Sequence, residues 1–196
     1  MSEAALREAT VEELFERSGA LLDGHFLLKS GRHAGRYLEK FLVLQHPSIG
    51  VELCRRFAER LAASAPTLVV GPTTGGVLLA FETARQLGGS VRAAFAEPLP
   101  EGGRAMRRGW PVSAEDRVVL VDDILTTGAY LFETIEAVRS AGTEPVAAAV
   151  IVDRSATPFT PGFEVHALGR LEIPSWTAES CDLCAEGLPL RKPGSS

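Results

Sequence analysis

The chain has 196 residues, 45% hydrophobic and 23% charged, with a formal net charge of −5. That length allows one domain with a sizeable core, or one domain with a small cap, and the acidic balance argues against a nucleic-acid binder that relies on bulk positive charge. The expectation is a soluble cytoplasmic protein with no membrane or nucleic-acid partner. No apolar run approaches the ~20 residues that span a bilayer, "MSEAALREATVEELFERSG" lacks the apolar stretch of a signal peptide, and three cysteines suit a reducing compartment.

Thr10 followed by Glu13 forms a capping box that opens a helix over residues 11–18. Residues 25–45, "HFLLKSGRHAGRYLEKFLVLQ", read as two short strands around a polar, Gly-containing turn. Pro47 opens a second helix whose apolar stripe is Val51, Leu53, Cys54, Phe57, Ala58 and Leu61. A regular alternation follows: strand 67–70, the turn "GPTTGG", helix 77–87, strand 91–96, a long polar loop 97–115, strand 118–121, helix 130–140 stopped by Gly142, and strand 146–152. Strands that are apolar throughout, separated by helices, imply a parallel sheet covered on both faces. The predicted class is therefore α/β, an open doubly wound sheet, which binds ligands beyond the carboxyl ends of its strands.

The most informative stretch is "VVLVDDILTTG", residues 118–128. It places Asp122 and Asp123 just past a central strand and Thr126, Thr127 and Gly128 just before a helix. A helix N-terminus offers unpaired N–H groups and a positive dipole end, which suit a phosphate, and Gly128 lets the backbone turn closely around it. Two adjacent carboxylates would repel that anion unless they face sugar hydroxyls or a divalent cation. A phosphorylated sugar meets both demands. An acidic pair after a strand also occurs as a solvated loop or an N-cap; neither a G-x-x-x-x-G-K-[ST] loop nor a G-x-G-x-x-G fingerprint is present.

This stretch resembles the phosphoribosyl-diphosphate (PRPP) motif of the type I phosphoribosyltransferases. "HFLLKSGRHAGRY" and the later "VDR" resemble the orotate branch of that family. The resemblance implies one phosphoribosyltransferase domain over residues 1–196, with an N-terminal hood (about 1–45), a PRPP-binding core (about 65–155) and a mobile loop (about 97–115). It implies transfer of phosphoribose from PRPP to orotate with Mg²⁺ carried mainly by PRPP. Asp122 and Asp123 would hold the ribose hydroxyls, with Ile124 and Leu125 leading into a 5-phosphate turn formed by Thr126, Thr127, Gly128, Ala129 and Tyr130. Thr74, Gly75 and Gly76 would carry the diphosphate. Lys29, Tyr37, Thr126 and Arg154 would border orotate, where a guanidinium fork suits a carboxylate. Arg104, Arg107 and Arg108 would bring positive charge on the loop, Arg104 being the candidate catalytic cation, and in the family such a loop reaches the neighbouring subunit of a homodimer with shared active sites. Two departures stand out: Ala129-Tyr130 replaces the family's Gly-Ser, and the loop has neither lysine nor histidine. A transferase for uracil or a purine, and a non-catalytic nucleotide sensor, are the alternative readings.

Cys181-Asp-Leu-Cys184 is half of a zinc-ligand set. Cys54 is distant in sequence, and His166 is a histidine that could join it. The expectation is a tight C-terminal turn with partly buried thiols.

Overall fold

The computed structural model describes residues 2–28 and 30–193. Helices α1 (Glu3–Glu8) and α2 (Val11–Arg17) lead into strands β1 (Leu21–Leu27) and β2 (His33–Leu38). Helix α3 (Lys40–Leu44) and helix α4 (Pro47–Leu61) follow. The alternating part comprises β3 (Leu68–Pro72), α5 (Gly75–Leu87), β4 (Arg92–Pro98), β5 (Arg104–Ala105), β6 (Val118–Leu125), α6 (Ala129–Ser140), β7 (Pro145–Asp153) and β8 (Glu164–Arg170). The chain then runs through β9 (Ser175–Trp176), the short helix α7 (Asp182–Ala185) and β10 (Leu190–Arg191). None of the described helices is long and apolar enough to cross a membrane.

Two sheets result. The larger has the order β5-β4-β3-β6-β7-β8, with every pairing parallel except β4 with β5. This is the doubly wound α/β arrangement that the uniformly apolar strands imply. In β6 the odd residues Val119 and Val121 join a core with Leu53, Phe57 and Leu61 of α4 and Leu79 of α5. The even residues Val118 and Leu120 join a second core with Leu131, Ile135 and Val138 of α6. Period-2 alternation thus feeds two cores, which is why the strand is apolar on both faces.

The smaller sheet, the hood, has the order β10-β1-β2-β9. Its strands come from both ends of the described chain, so the hood extends beyond residues 1–45. The capping box of α2 forms as expected, Glu13 N–H donating to Thr10 Oγ1 and Thr10 N–H to Glu13 Oε2. Arg56 of α4 donates to the carbonyl oxygens of Leu6 and Ala9, each at 2.8 Å, and secures the corner between α1 and α2.

Several expectations are corrected. The first strand begins at Leu21, and residues 40–44 are helical. Val51 is 40% exposed, although the rest of its stripe is buried. Strand β6 extends through Leu125, because Asp122, Ile124 and Leu125 keep pairing with Val150, Val152 and Asp153; the acids lie inside the strand. Residues 97–115 are not a structureless loop. Glu97 and Pro98 pair with Ala105 and Arg104, and Met106, Trp110 and Val112 pack against the α6-side core. Trp110 meets Phe95 edge-on at 5.3 Å. Beyond β7, strands β8, β9 and β10 were not predicted at all.

Phe57 is fully buried where α4 meets the sheet. Phe57→Ala should cost ~3–5 kcal/mol of stability, read as a lower urea midpoint at unchanged transition slope.

Candidate active site

The carboxyl ends of β3 and β6 open onto a cleft of about 200 Å³ lined by Lys40, Phe41, Pro72, Thr73, Thr74, Gly75, Arg104, Asp122, Asp123 and Tyr130. The floor is the acid pair, with Asp122 5% and Asp123 2% exposed. Asp122 Oδ1 accepts the Asp123 N–H and Asp123 Oδ1 accepts the Ile124 N–H, both at 2.8 Å. Lys40, the first residue of α3, sets its Nζ 3.1 Å from Asp123 Oδ1 and 3.0 Å from Oδ2. Sequence reasoning missed Lys40, because nothing local marks a lysine 83 positions from its partner. Burial first, and then the adjacent Asp123 charge, pushes the Asp122 carboxyl up to about 7.

The glycines at the end of β3 and the start of α5 have no room for side chains. A Cβ on Gly71 would fall 2.2 Å from the Gly76 carbonyl oxygen, and one on Gly75 would fall 2.7 Å from Asp123 Oδ2. Glycine therefore allows the N-terminus of α5 to lie directly against the acid pair. Thr74 makes no side-chain cap there, so the first N–H groups of α5 remain available to an anion. The peptide bond between Thr73 and Thr74 is cis.

The turn after β6 is built the same way. Thr126, Thr127, Ala129 and Tyr130 are exposed around a buried Gly128. Gly128 has φ of 78°, and a Cβ there would overlap the ring of Phe159 at 2.3 Å. The departure Tyr130 has a use: its ring lies 5.1 Å beneath the Arg104 guanidinium, a cation–π platform. Arg104 Nη1 donates to Ala96 O at 3.2 Å and Thr73 Oγ1 at 3.3 Å, while Nε faces Glu133 at 3.3 Å. Arg104 thus stands in the cleft of its own chain. Arg107 is exposed and Arg108 is bound to Glu97 at 2.7 Å; neither lines the cleft.

Arg154 lies beyond the turn that follows β6. Its N–H donates to Leu125 O at 2.8 Å, adjacent to Thr126, and its side chain helps line a second cleft of about 350 Å³ with Ser155, Arg170 and Glu172. Arg154 Nε is buried without a hydrogen-bond partner. Burial lowers the Arg154 pKa, and Tyr37 is the ionisable group that opposes the shift. Tyr37 packs against Phe26 at 5.7 Å between ring centroids. Lys29 lies outside the described residues.

The model of the phosphoribosyl transferase domain matches residues 43–167, a span that includes the turns after β3 and β6, the acid pair and Arg154. An orotate phosphoribosyltransferase of Pelotomaculum thermopropionicum is 43% identical over 182 residues, 93% of this chain and 94% of the relative. The chain belongs to the orotate phosphoribosyltransferase family. A second such relative, from Caldanaerobacter subterraneus, is 40% identical over 97% of this chain and 98% of its own length. Among solved structures, the orotate phosphoribosyltransferase of Aeropyrum pernix superimposes with a TM-score of 0.70 at 26% identity, covering 83% of this chain and 94% of that one. The Mycobacterium tuberculosis orotate phosphoribosyltransferase in complex with PRPP gives 0.65 at 25% identity, covering 82% and 96%.

The Asp122 shift fixes a sign. A carboxyl held above its unfolded value takes up a proton on folding. Its stabilising effect is full below the ordinary aspartate pKa and is lost as pH climbs through the folded value near 7. Asp122→Asn should therefore match the parent Tm near pH ~4 and exceed it by several degrees above pH ~7, as measured by calorimetry across that range.

Proposed function

We propose that this chain transfers the 5-phosphoribosyl group from PRPP to orotate, giving orotidine 5′-phosphate and diphosphate, the pentosyl transfer of de novo pyrimidine (UMP) synthesis. The observation that carries the choice of base is the buried, partnerless Nε of Arg154 beside Tyr37. A guanidinium held this way needs an anion with paired acceptors, and the orotate carboxylate supplies one. Uracil, which lacks the carboxylate, would leave the guanidinium unpaired, and so would a purine.

The reaction breaks the bond from the anomeric carbon to diphosphate, which leaves with the electron pair, while the orotate ring nitrogen donates a pair to that carbon. Asp122 and Asp123 accept from the ribose hydroxyls and fix the sugar as positive charge develops on it. The N-terminal N–H groups of α5, at Thr74, Gly75 and Gly76, receive the diphosphate. The turn Thr126–Tyr130 receives the 5-phosphate. Arg104, held over Tyr130, places a cation where the leaving group gains charge. Orotate is already an anion, so no general base is required, and catalysis is mainly positioning and electrostatics. Mg²⁺ fits the donor chemistry: Asp123 already faces Lys40, so the ion would be held mainly by the diphosphate, and the carboxylates Asp122 and Asp123 are the oxygen donors the cleft offers it. When bound, it would neutralise the leaving diphosphate.

The family's homodimer is supported by an apolar face of α4 and α5. Val51, Leu78 and Phe81 are 40%, 58% and 68% exposed and share one surface with Leu44 and Pro47, a patch of the kind that interfaces cover. Phe81→Glu should convert a dimer to monomers in sedimentation analysis.

Turnover of orotate and PRPP should require added Mg²⁺; equal turnover without it, or turnover with uracil and not orotate, would remove the assignment. Asp122→Asn and Asp123→Asn should each lower kcat at least tenfold. Arg154→Ala should raise KM for orotate by tenfold or more, the loss of about 1.5–3 kcal/mol expected for a hydrogen bond to a charged group, and raise KM for PRPP much less.

Subunit mixing tests how the sites are shared. Asp123→Asn and Arg104→Ala chains, each inactive, are allowed to exchange. With Arg104 serving its own cleft, every site keeps a defect and no activity returns. Recovery would show that Arg104 acts in the neighbouring subunit.

A further inference from the structure

We propose that His25, His33, Cys181 and Cys184 form a four-coordinate site for a zinc-class cation that fastens the C-terminal segment to the hood. Their ligand atoms all lie within 4.8 Å of one another. His25 Nε2 is 2.9 Å from His33 Nδ1, 3.4 Å from Cys181 Sγ and 3.6 Å from Cys184 Sγ, and His33 Nδ1 is 3.2 Å from Cys184 Sγ. Zinc bonds of about 2.3 Å to sulfur and about 2.05 Å to nitrogen, arranged tetrahedrally, put N···N near ~3.3 Å and N···S near ~3.5 Å. These four separations are within about half an ångström of those figures before any ion draws the cluster together.

The proton arrangement points the same way. His25 Nδ1 lies 2.9 Å from the Leu188 carbonyl oxygen. A carbonyl only accepts, so Nδ1 carries the hydrogen and the Nε2 lone pair faces the cluster. This is the outer hydrogen bond that orients a metal-ligating imidazole. His25, His33 and Cys181 are 2%, 5% and 4% exposed, so three of the four groups turned towards one another are deeply buried, and the exposed Cys184 closes the cluster on the solvent side. Soft thiolate and imidazole donors select zinc and its neighbours over Mg²⁺, so this site is chemically separate from the acid pair. The other cysteine, Cys54, is a core thiol that burial pushes up to about 12, and it takes no part. His166, the histidine considered from sequence, pairs instead with Glu164 at 3.4 Å.

The fold gives the cation a task. Within residues 177–193, Cys181 is the only buried residue. The segment joins the hood through two register positions between β10 and β1. Apolar burial therefore contributes little to holding it, and small modules of this kind gain their folding energy from the metal. The two histidines stand on adjacent strands on either side of residues 28–32, so the same ion would tie the base of that turn to the C-terminal segment.

The full chain, purified under reducing conditions, should retain one zinc per chain through gel filtration by elemental analysis. After the metal is stripped, Co²⁺ titration should give thiolate charge-transfer and tetrahedral d–d absorption that saturates at one equivalent. Both signals should be lost in Cys184→Ser and kept in His166→Ala, and removing zinc should lower the Tm of the parent chain. The parent measurements do not depend on any variant folding. A chain without zinc, zinc retained without a thiolate–cobalt spectrum, or a Cys181–Cys184 disulfide in the reduced preparation would each overturn the proposal.

Discussion

Asp122 and Asp123 repel, and the cleft is organised around keeping them together. Two neighbouring carboxylates in a strand buried on both faces cannot both stay charged without help. Lys40 comes from outside the alternating sheet to pair with Asp123, and burial beside that charge pushes the Asp122 carboxyl up. Other features follow from that pair. Gly75 has no side chain because Asp123 occupies the space one would need, and α3, formed where sequence suggested strand, carries Lys40 at its first position. Where the sheet concentrates negative charge, two helix N-termini on either side present positive dipole ends. A ligand with hydroxyls in the middle and phosphates at both ends is electrically complementary to such a site.

The departure at Tyr130 is best understood with Arg104. A small hydroxyl at that position would leave the guanidinium over open space. The aromatic ring supports it at 5.1 Å, Thr73 and Ala96 accept from its Nη1, and Glu133 faces an Nε that makes no hydrogen bond. An arginine whose donors are arranged this way is stiffer than a lysine on a free loop. The hairpin of β4 and β5 and the packing of Trp110 on Phe95 act in the same direction. Positive charge is therefore delivered to the cleft by a folded element, with less ordering entropy left to lose when a ligand arrives.

Sequence made local features legible and hid distant ones. The capping box at Thr10, the helix opened by Pro47, the apolar strands and the motif ending at Gly128 all lie within a dozen residues, where periodicity and capping chemistry operate. β8 went unseen because only its partner β7 makes it a strand: "EVHALGR" is half-exposed and barely apolar. Residues 97–115 looked like a loop because their glycines and charges outnumber Met106, Trp110 and Val112, which are too scattered to show a period. Lys40 is invisible without Asp123. Cys181 and Cys184 gave a half-motif whose other half, His25 and His33, lies about 150 positions upstream, and the expected plain turn of partly buried thiols missed that convergence.

The order of strands in the hood has a consequence for how the molecule is made. β1 and β2 leave the ribosome before the larger sheet, and their outer neighbours β9 and β10 leave it after that sheet. The two-core sheet from β3 to β8 lies wholly between them and can close first. While the larger sheet is being made, the nascent chain therefore carries an early hairpin with both edges open, waiting for strands that do not yet exist. Such edges invite pairing with other chains, and here they are closed only by strands made after that sheet.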